Sequence, residues 1–513
     1  MIPLARIQRA VPAALLLIVL TRINGPYWPP VWPDEALFSS PAATLAEKGS
    51  FATPVLSGLI PGMERATLWN SPLHMVLLSG LYAIGGGESL ETARGLSLIL
   101  GIIALVVFSM NLDLILTESF LLWMLPLLLV FDLTFSRSAN TVRMDILCLI
   151  FILGAHYNLL YDAVDPVEKR RNGRYFRAGI CAGFAALSHP IAILLAPVFA
   201  IYSLPRIRPL IPAIAGAILP LLFWLAYILP NFEIFESQFL SQMGRKGEMF
   251  RLWGGDTGGI FVVFFSQYGG TKIVMIAGAL VFALAIAAVI GHAYRIRSGL
   301  KVDPFFRIAA ASAAVGVAVL AASEAWYALH VGPFLLMLAG FLRDPASIDL
   351  RSRYSLKESF MLNRLPLILL SLFLILSTVY FTGRNRLFLK SHETIREYET
   401  AILSATSGCD LIYLRVRPDP YFLIRSHRPE REILEFIPAK LRLSENINNF
   451  HIDNLQKRYD SVDCFLLDEN DGWEPYLNGY LNERRDRFTV REWKFSVPVG
   501  TVRLFRRAPV SRN

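Results

Sequence analysis

The chain has 513 residues, of which 54% are hydrophobic, and a formal net charge of +9. So much apolar sequence, gathered in repeated long runs, excludes a string of soluble domains and points to a polytopic membrane protein. The positive charge does not mark a nucleic-acid binder, because the basic residues sit in short loops between apolar runs, the positive-inside pattern. The first run, residues 10–24, follows Arg6 and Arg9 and has no small-residue cleavage pattern after it, so it reads as a retained signal anchor. Directly after it comes Trp32-Pro33-Asp34-Glu35, two carboxylates where a membrane helix meets water. The bland reading makes Asp34 the N-cap of a helix over 35–48. The functional reading makes the pair part of a site.

The first outer loop spans 25–70, with helix-like stretches near 35–48 and 62–70 that are too polar to cross. They fit interfacial helices, with Trp28, Trp32 and Trp69 in the aromatic belt. Apolar runs follow at 71–86, 93–111 and 118–135, and then a polar bend, SRSANTVRMD, carries Arg137, Arg143 and Asp145. The run 146–161 leads to DPVEKRRNGRYFR, the clearest cytoplasmic marker. A second marker, PRIRP, closes the stretch 178–204. Both ends of that stretch are then inside, which predicts a hairpin of two short helices broken at Pro190, with His189 at its tip facing a cavity.

The run 210–229 leads out to a second large outer loop, 230–259, containing WGGDTGG, which reads either as a flexible loop or as an anion nest. Runs near 271–291, 305–322, 331–342 and 366–382 complete the membrane part. Parity requires one of the three runs between Asp34 and Arg143 not to cross; 71–86 is the shortest, so it is expected to lie in the interface or to enter only partly. After about residue 384 the sequence is polar, and CDLIYLRV, DCFLLD and GTVRLF alternate as strands of a small α/β domain. The expected architecture is therefore an α-helical membrane domain, 1–383, with roughly ten to twelve membrane helices, followed by an extracytoplasmic α/β domain, 384–513. Four cysteines make no disulfide framework and no zinc spacing. Cys148 and Cys181 read as core filler, and Cys409 and Cys464 can pair only outside the cytoplasm.

This topology gathers Asp34, Glu35, Arg137, Arg143, Asp145, His189, Tyr327 and His330 on the outer side, and such convergence is what an active site needs. Each has a structural alternative: a helix-end ion pair for Arg143 and Asp145, a packing role for His189, interface anchoring for Tyr327 and His330, and a headgroup anchor for Arg137. In order, WPDEALFSSPAATLAEKGSF, NSPLHMVLLSGLYAIGGGESLETARGLSLILG, SRSANTVRMDILCLIF, GFAALSHPIAILLAPVFA and EAWYALHVGPFLLMLAGF resemble the GT-C glycosyltransferases that use polyprenyl-phosphate sugars. Within them, the likeness is to the glycosyltransferase family 39-like group of protein mannosyltransferases and lipid A aminoarabinose transferases, and it covers roughly 1–382. In many members Lys follows the threonine-like position where Ser188-His189 stands here, and Arg is common beside the Tyr at 327, where this chain has Trp326; the donor contacts are thus less defined than the base.

The resemblance implies an inverting transfer of a monosaccharide from a polyprenyl-phosphate donor to an acceptor hydroxyl on a glycan, lipid or protein, at the outer face of the plasma membrane. Asp34 matches the general base and Glu35 is the neighbour that orients it. Arg143, His189, Tyr327 and His330, with Arg65 behind them, are the candidate donor contacts, and Asp145 and Arg137 orient substrate. A divalent cation, Mg or Mn, stays open, since two acids alone do not decide between a metal and a metal-free site. A transporter or lipid flippase of envelope biogenesis is the alternative, although the chain has no internal repeat of the kind transporters show.

Overall fold

The computed structural model describes residues 4–22, 29–164, 168–203, 208–239, 329–343, 392–435, 455–469, 475–496 and 499–508, with a few single positions between them. The expected runs 271–291 and 305–322 and the Gly-rich loop 253–259 lie outside the described residues, and of 366–382 only scattered positions are described. The helical part begins with α1 (Leu4–Arg22), α2 (Pro33–Lys48), α3 (Leu73–Gly85), α4 (Leu90–Ile115), α5 (Ser119–Val130) and α6 (Leu133–Ser138). It continues with α7 (Asp145–Val164), α8 (Glu168–Ser188), α9 (Leu195–Ser203), α10 (Leu210–Ile228) and α11 (Gly332–Arg343). Among the described residues, Leu90–Ile115, Asp145–Asp162 and Leu210–Phe239 are long and apolar enough to cross a membrane.

Close backbone approach fixes the bundle. A Cβ on Gly179 of α8 would overlap the Ala213 carbonyl of α10, and one on Gly216 of α10 would overlap the Phe176 carbonyl of α8. Small residues let two helices meet at backbone distance, where dispersion replaces the hydrophobic drive that lipid cannot supply. On α4, Gly101 plays the same part against Ala139 and Leu17. At the far end of α1, Arg9 pairs with Asp113 of α4.

Three expectations change. The run 118–135 is not one helix: Asp132 ends α5 and caps α6, its Oδ1 accepting from the N–H groups of Thr134 (2.8 Å) and Phe135 (3.2 Å). The stretch 62–70 is a turn and extended chain, not an interfacial helix. Gly58 and Gly62 take φ of 72° and 76° there, and the chain is then held from outside: the Leu68 N–H donates to Gln238 Oε1 (2.7 Å), and Gln238 Nε2 donates to the Ala66 carbonyl (2.9 Å). Finally, the hairpin at His189 has unequal arms. On one side α8 has 21 residues, its basic first half extending past the apolar span; on the other is a 3-10 turn, Pro190–Leu194, leading to the nine residues of α9. The break itself falls at His189 as expected.

The run 71–86 forms α3, whose 13 residues amount to about 20 Å of helix against about 30 Å of hydrocarbon. Both its ends lie beside α2: His74 meets Phe38 edge-on, with ring centroids 6.3 Å apart, and Tyr82 and Glu88 bond to the Ser39 hydroxyl at 2.6 and 2.5 Å.

The C-terminal part holds α12 (His392–Ala405), α13 (Tyr421–His427) and α14 (Pro475–Glu483) around a five-stranded sheet. The strands are β1 (Leu411–Arg415), β2 (Glu432–Glu435), β3 (Cys464–Asp468), β4 (Phe488–Lys494) and β5 (Thr501–Arg507), in the order β2-β1-β3-β5-β4. β1 pairs in parallel with β2 and β3, whereas β5 runs antiparallel to β3 and β4. β1 and β3 are buried at every residue, as parallel central strands must be. A disulfide joins Cys409, just before β1, to Cys464 at the start of β3.

Candidate active site

The site begins with how α2 starts. Pro33 occupies the first helical position, where its missing N–H costs nothing, so Trp32 rather than Asp34 is the cap. Glu35 then stands at the third position and its Oε1 accepts the Trp32 N–H at 3.1 Å. The same carboxylate is fully buried and forms a fork with Arg94 of α4, Nε to Oε2 at 3.0 Å and Nη2 to Oε1 at 2.7 Å. Arg94 also donates to the Pro29 carbonyl (2.9 Å), and Glu35 Oε2 accepts the Val142 N–H at 3.0 Å. One buried acid therefore pins the chain entering α2, helix α4 and the bend before α7 to one another. Glu35 acts here as a positioning residue.

That positioning leaves Asp34 facing outward, its side chain 31% exposed and ion-paired with Arg143. Arg143 is itself buried, and its Nε donates to Asp145 Oδ2 at 2.8 Å. Arg143 thus lies between two aspartates brought together from the start of α2 and the start of α7. His189 approaches from the hairpin break, with Nε2 3.8 Å from Asp145 Oδ1. Its Nδ1 accepts the Ile191 N–H at 2.9 Å, and a nitrogen that accepts cannot carry the proton, so the proton sits on Nε2, toward Asp145. His74 and His330 are fully buried and within electrostatic reach of Asp145. Their ring nitrogens make no hydrogen bond among the described residues.

Arg137, on α6, lies in the field of Arg143, Glu35 and Asp34; burial, reinforced by Arg143, lowers it to about 10, so it stays a cation near neutrality. A second flanking cation comes from the C-terminal domain. Arg417 stacks over the Trp32 ring at 3.6 Å, and burial lowers it to about 10 against the opposing pull of Asp468 and Asp34. The next turn docks onto the same loop, the Asp419 N–H donating to the Val31 carbonyl at 2.9 Å. Burial raises the Asp419 carboxyl to about 7 and, together with Asp419, holds Glu435 well above the carboxylate range. Further along, Glu88 takes the Tyr421 hydroxyl at 2.9 Å and Arg425 Nε at 3.2 Å. The C-terminal domain is therefore fastened to α2 and to the loop before α4.

Of the residues expected from sequence, Asp34, Arg143, Asp145 and His189 meet, with Arg137 and His330 around them. Arg65 does not join: it leaves a turn whose backbone is held by Gly62 and Gln238, and it projects into solvent opposite Glu64 at 3.7 Å. Tyr327 lies outside the described residues. Arg94, His74 and Arg417 were not anticipated. Arg94 had a signal, a lone arginine on an apolar run, which needs a buried acid as partner. Among the described residues, no three His, Cys, Asp or Glu side chains come together as a metal site; the cation between the two aspartates is the Arg143 guanidinium.

Set against solved structures, the chain is similar over 96% of its length to 97% of the ArnT chain from Cupriavidus metallidurans bound to undecaprenyl phosphate, with a TM-score of 0.56 at 14% identity. The chain has the GT-C fold. The Archaeoglobus fulgidus oligosaccharyltransferase in complex with Zn and sulfate matches with a TM-score of 0.53 at 14% identity, covering 96% of this chain and 72% of that one. No protein-family model and no curated protein matches the sequence. Identity this low carries the architecture and no more, so the chemistry has to be argued from this chain's own residues.

Proposed function

We propose that the protein is an inverting glycosyltransferase that moves a monosaccharide from a polyprenyl-phosphate donor to an acceptor hydroxyl on the extracytoplasmic face of the membrane. The observation that carries this reading is the Asp34–Arg143–Asp145–His189 array, built on the fold of the ArnT structure that holds undecaprenyl phosphate. In the reaction, Asp34, the exposed member, takes the proton of the acceptor hydroxyl. The hydroxyl oxygen attacks the anomeric carbon on the face opposite the phosphate. As that bond forms, the bond from the anomeric carbon to the phosphate oxygen breaks, and the electron pair leaves on the polyprenyl phosphate. No proton is needed on so good a leaving group; positive charge is. Arg143, the Nε2–H of His189, and the ring nitrogens of His74 and His330 are the groups placed to receive the phosphate. Asp145 orients Arg143 and His189, while Arg137 and Arg417 border the approach to Asp34.

The positive-inside pattern and the Cys409–Cys464 disulfide both favour the outer face for this site. A strain lacking the protein should lose one sugar from its glycolipid or glycan profile and accumulate the corresponding lipid-linked donor. Asp34→Asn, expressed at the normal level, should fail to restore it. Sugar transfer persisting in that variant would overturn the assignment of the base.

A further inference from the structure

We infer that the protein has a second ligand site, for the phosphate of an anionic phospholipid, at the ends of α7 and α8 remote from Asp34. A cavity of about 480 Å³ opens there between Tyr157, Asn158 and Tyr161 of α7 and Arg170, Arg174 and Arg177 of α8, with Gly173 as its floor. The spacing explains the convergence: 157 and 161 lie one turn apart on α7, and 170, 174 and 177 form one stripe on α8. The space at Gly173 is open, since a Cβ there would meet only the tip of Arg177, at 3.9 Å.

The charges do not balance within the cavity. Asp162 is engaged by Arg171 (3.2 Å) and Arg174 (3.6 Å). Arg174 is buried, with its guanidinium 4.6 Å from the centre of the Tyr161 ring, so it is part of the wall. Arg170 and Arg177 are exposed and, among the described residues, are in excess of the acid. Arg177 is held by a neutral group, its Nε donating to Asn158 Oδ1 at 3.2 Å, which aims the guanidinium without cancelling its charge. An anion from outside is the natural complement.

Location selects a lipid over a soluble anion. The apolar span of α7 runs from Asp145 to Asp162, so the cavity, lined on α7 by Tyr157, Asn158 and Tyr161, lies about 18–24 Å along the helix from Asp145 at 1.5 Å per residue, in the last turns of the span where hydrocarbon gives way to headgroups. Tyr157 and Tyr161, ring centroids 6.1 Å apart, and the exposed Phe176 beside them supply the amphipathic surface of that interface. A phosphodiester headgroup would reach Arg170 and Arg177 while its glycerol and upper chains lie on these rings. The site rests on none of the residues assigned to sugar transfer.

Native mass spectrometry of the full-length protein, released from detergent with dioleoyl phosphatidylglycerol or dioleoyl phosphatidylcholine, tests this. The wild type should retain phosphatidylglycerol preferentially. R170Q/R177Q, which alters only exposed side chains, should reduce that retention about tenfold or more, each arginine at an anionic surface being worth about a fivefold factor. N158D, which places an acid against Arg177, should weaken retention as well. Equal retention of the two lipids by the wild type, unchanged phosphatidylglycerol retention in R170Q/R177Q, or displacement of the lipid by millimolar inorganic phosphate would each overturn the inference, the last in favour of a soluble phosphate ligand.

Discussion

At its first residue α7 carries Asp145, which shares Arg143 with Asp34, and the histidines 74, 189 and 330 stand around that group. In its last turns the same helix carries Asp162, outnumbered by Arg170, Arg171, Arg174 and Arg177 of α8. At the first end one cation serves two acids, of which Asp34 is the exposed one. At the second end cations exceed acids among the described residues. On the readings proposed above, one end of the helix serves sugar transfer and the other holds an anion. A helix with an aspartate near each end would then be put to two tasks, decided by what its neighbours supply.

The largest effect that would sharpen this contrast comes from the acid end. Asp34→Asn should lower sugar transfer by about 10²–10⁴-fold while the protein stays folded at a normal level, because the buried Arg143 loses one carboxylate but keeps Asp145. Glu35→Gln works through position instead. It leaves the buried Arg94 without its carboxylate, and such breakage costs about 3–5 kcal/mol; a lowered melting temperature, with transfer falling in step, is the expected result. Loss of transfer at unchanged stability would make Glu35 a participant in the chemistry and not a support.

A smaller effect should appear with pH. Asp419 has its folded value raised from 3.8 to about 7, so the folded state binds the extra proton. Its contribution to stability is fully present below about 3.8 and is lost as pH rises through about 7. Docking of the C-terminal domain, followed by thermal unfolding between about pH 5 and 8, should weaken toward the alkaline side, and Asp419→Asn should flatten the slope. The smallest effect belongs to the basic end: R170Q/R177Q should leave sugar transfer within about twofold, the ordinary range for exposed substitutions. A large loss there would merge the two ends of α7 into one functional unit.

Much of this was readable in the sequence because it depends on local pattern. Uniform apolar runs became α4, α7 and α10, and the alternating segments at 411, 464 and 501 became β1, β3 and β5. Asp34 stood out because an acid beside hydrocarbon needs a reason. What escaped depends on partners far along the chain. Glu35 and Arg94 are 59 residues apart, and nothing near either one announces the other. Arg417 reaches Trp32 from the other domain. The first half of α8 looks like a loop by composition, since its arginines lie beyond the apolar span, and β4 hides its identity because most of its residues are exposed at the edge of the sheet. The division of α5 from α6 turned on the single capping carboxylate of Asp132, which hydropathy averages away.

The fastening of Tyr421 and Arg425 to Glu88 has a consequence for how the protein is made. The two halves of that clamp are 333 residues apart in the chain, which at ribosomal rates is roughly 20–70 s of synthesis. For that interval the loop bearing Asp34 is already built while the arginine that covers Trp32 has not been translated. A truncated or stalled chain would therefore present Trp32 without the guanidinium that stacks on it and Glu88 without Tyr421 and Arg425, so the last domain's contacts with the helical part form only at the end of synthesis.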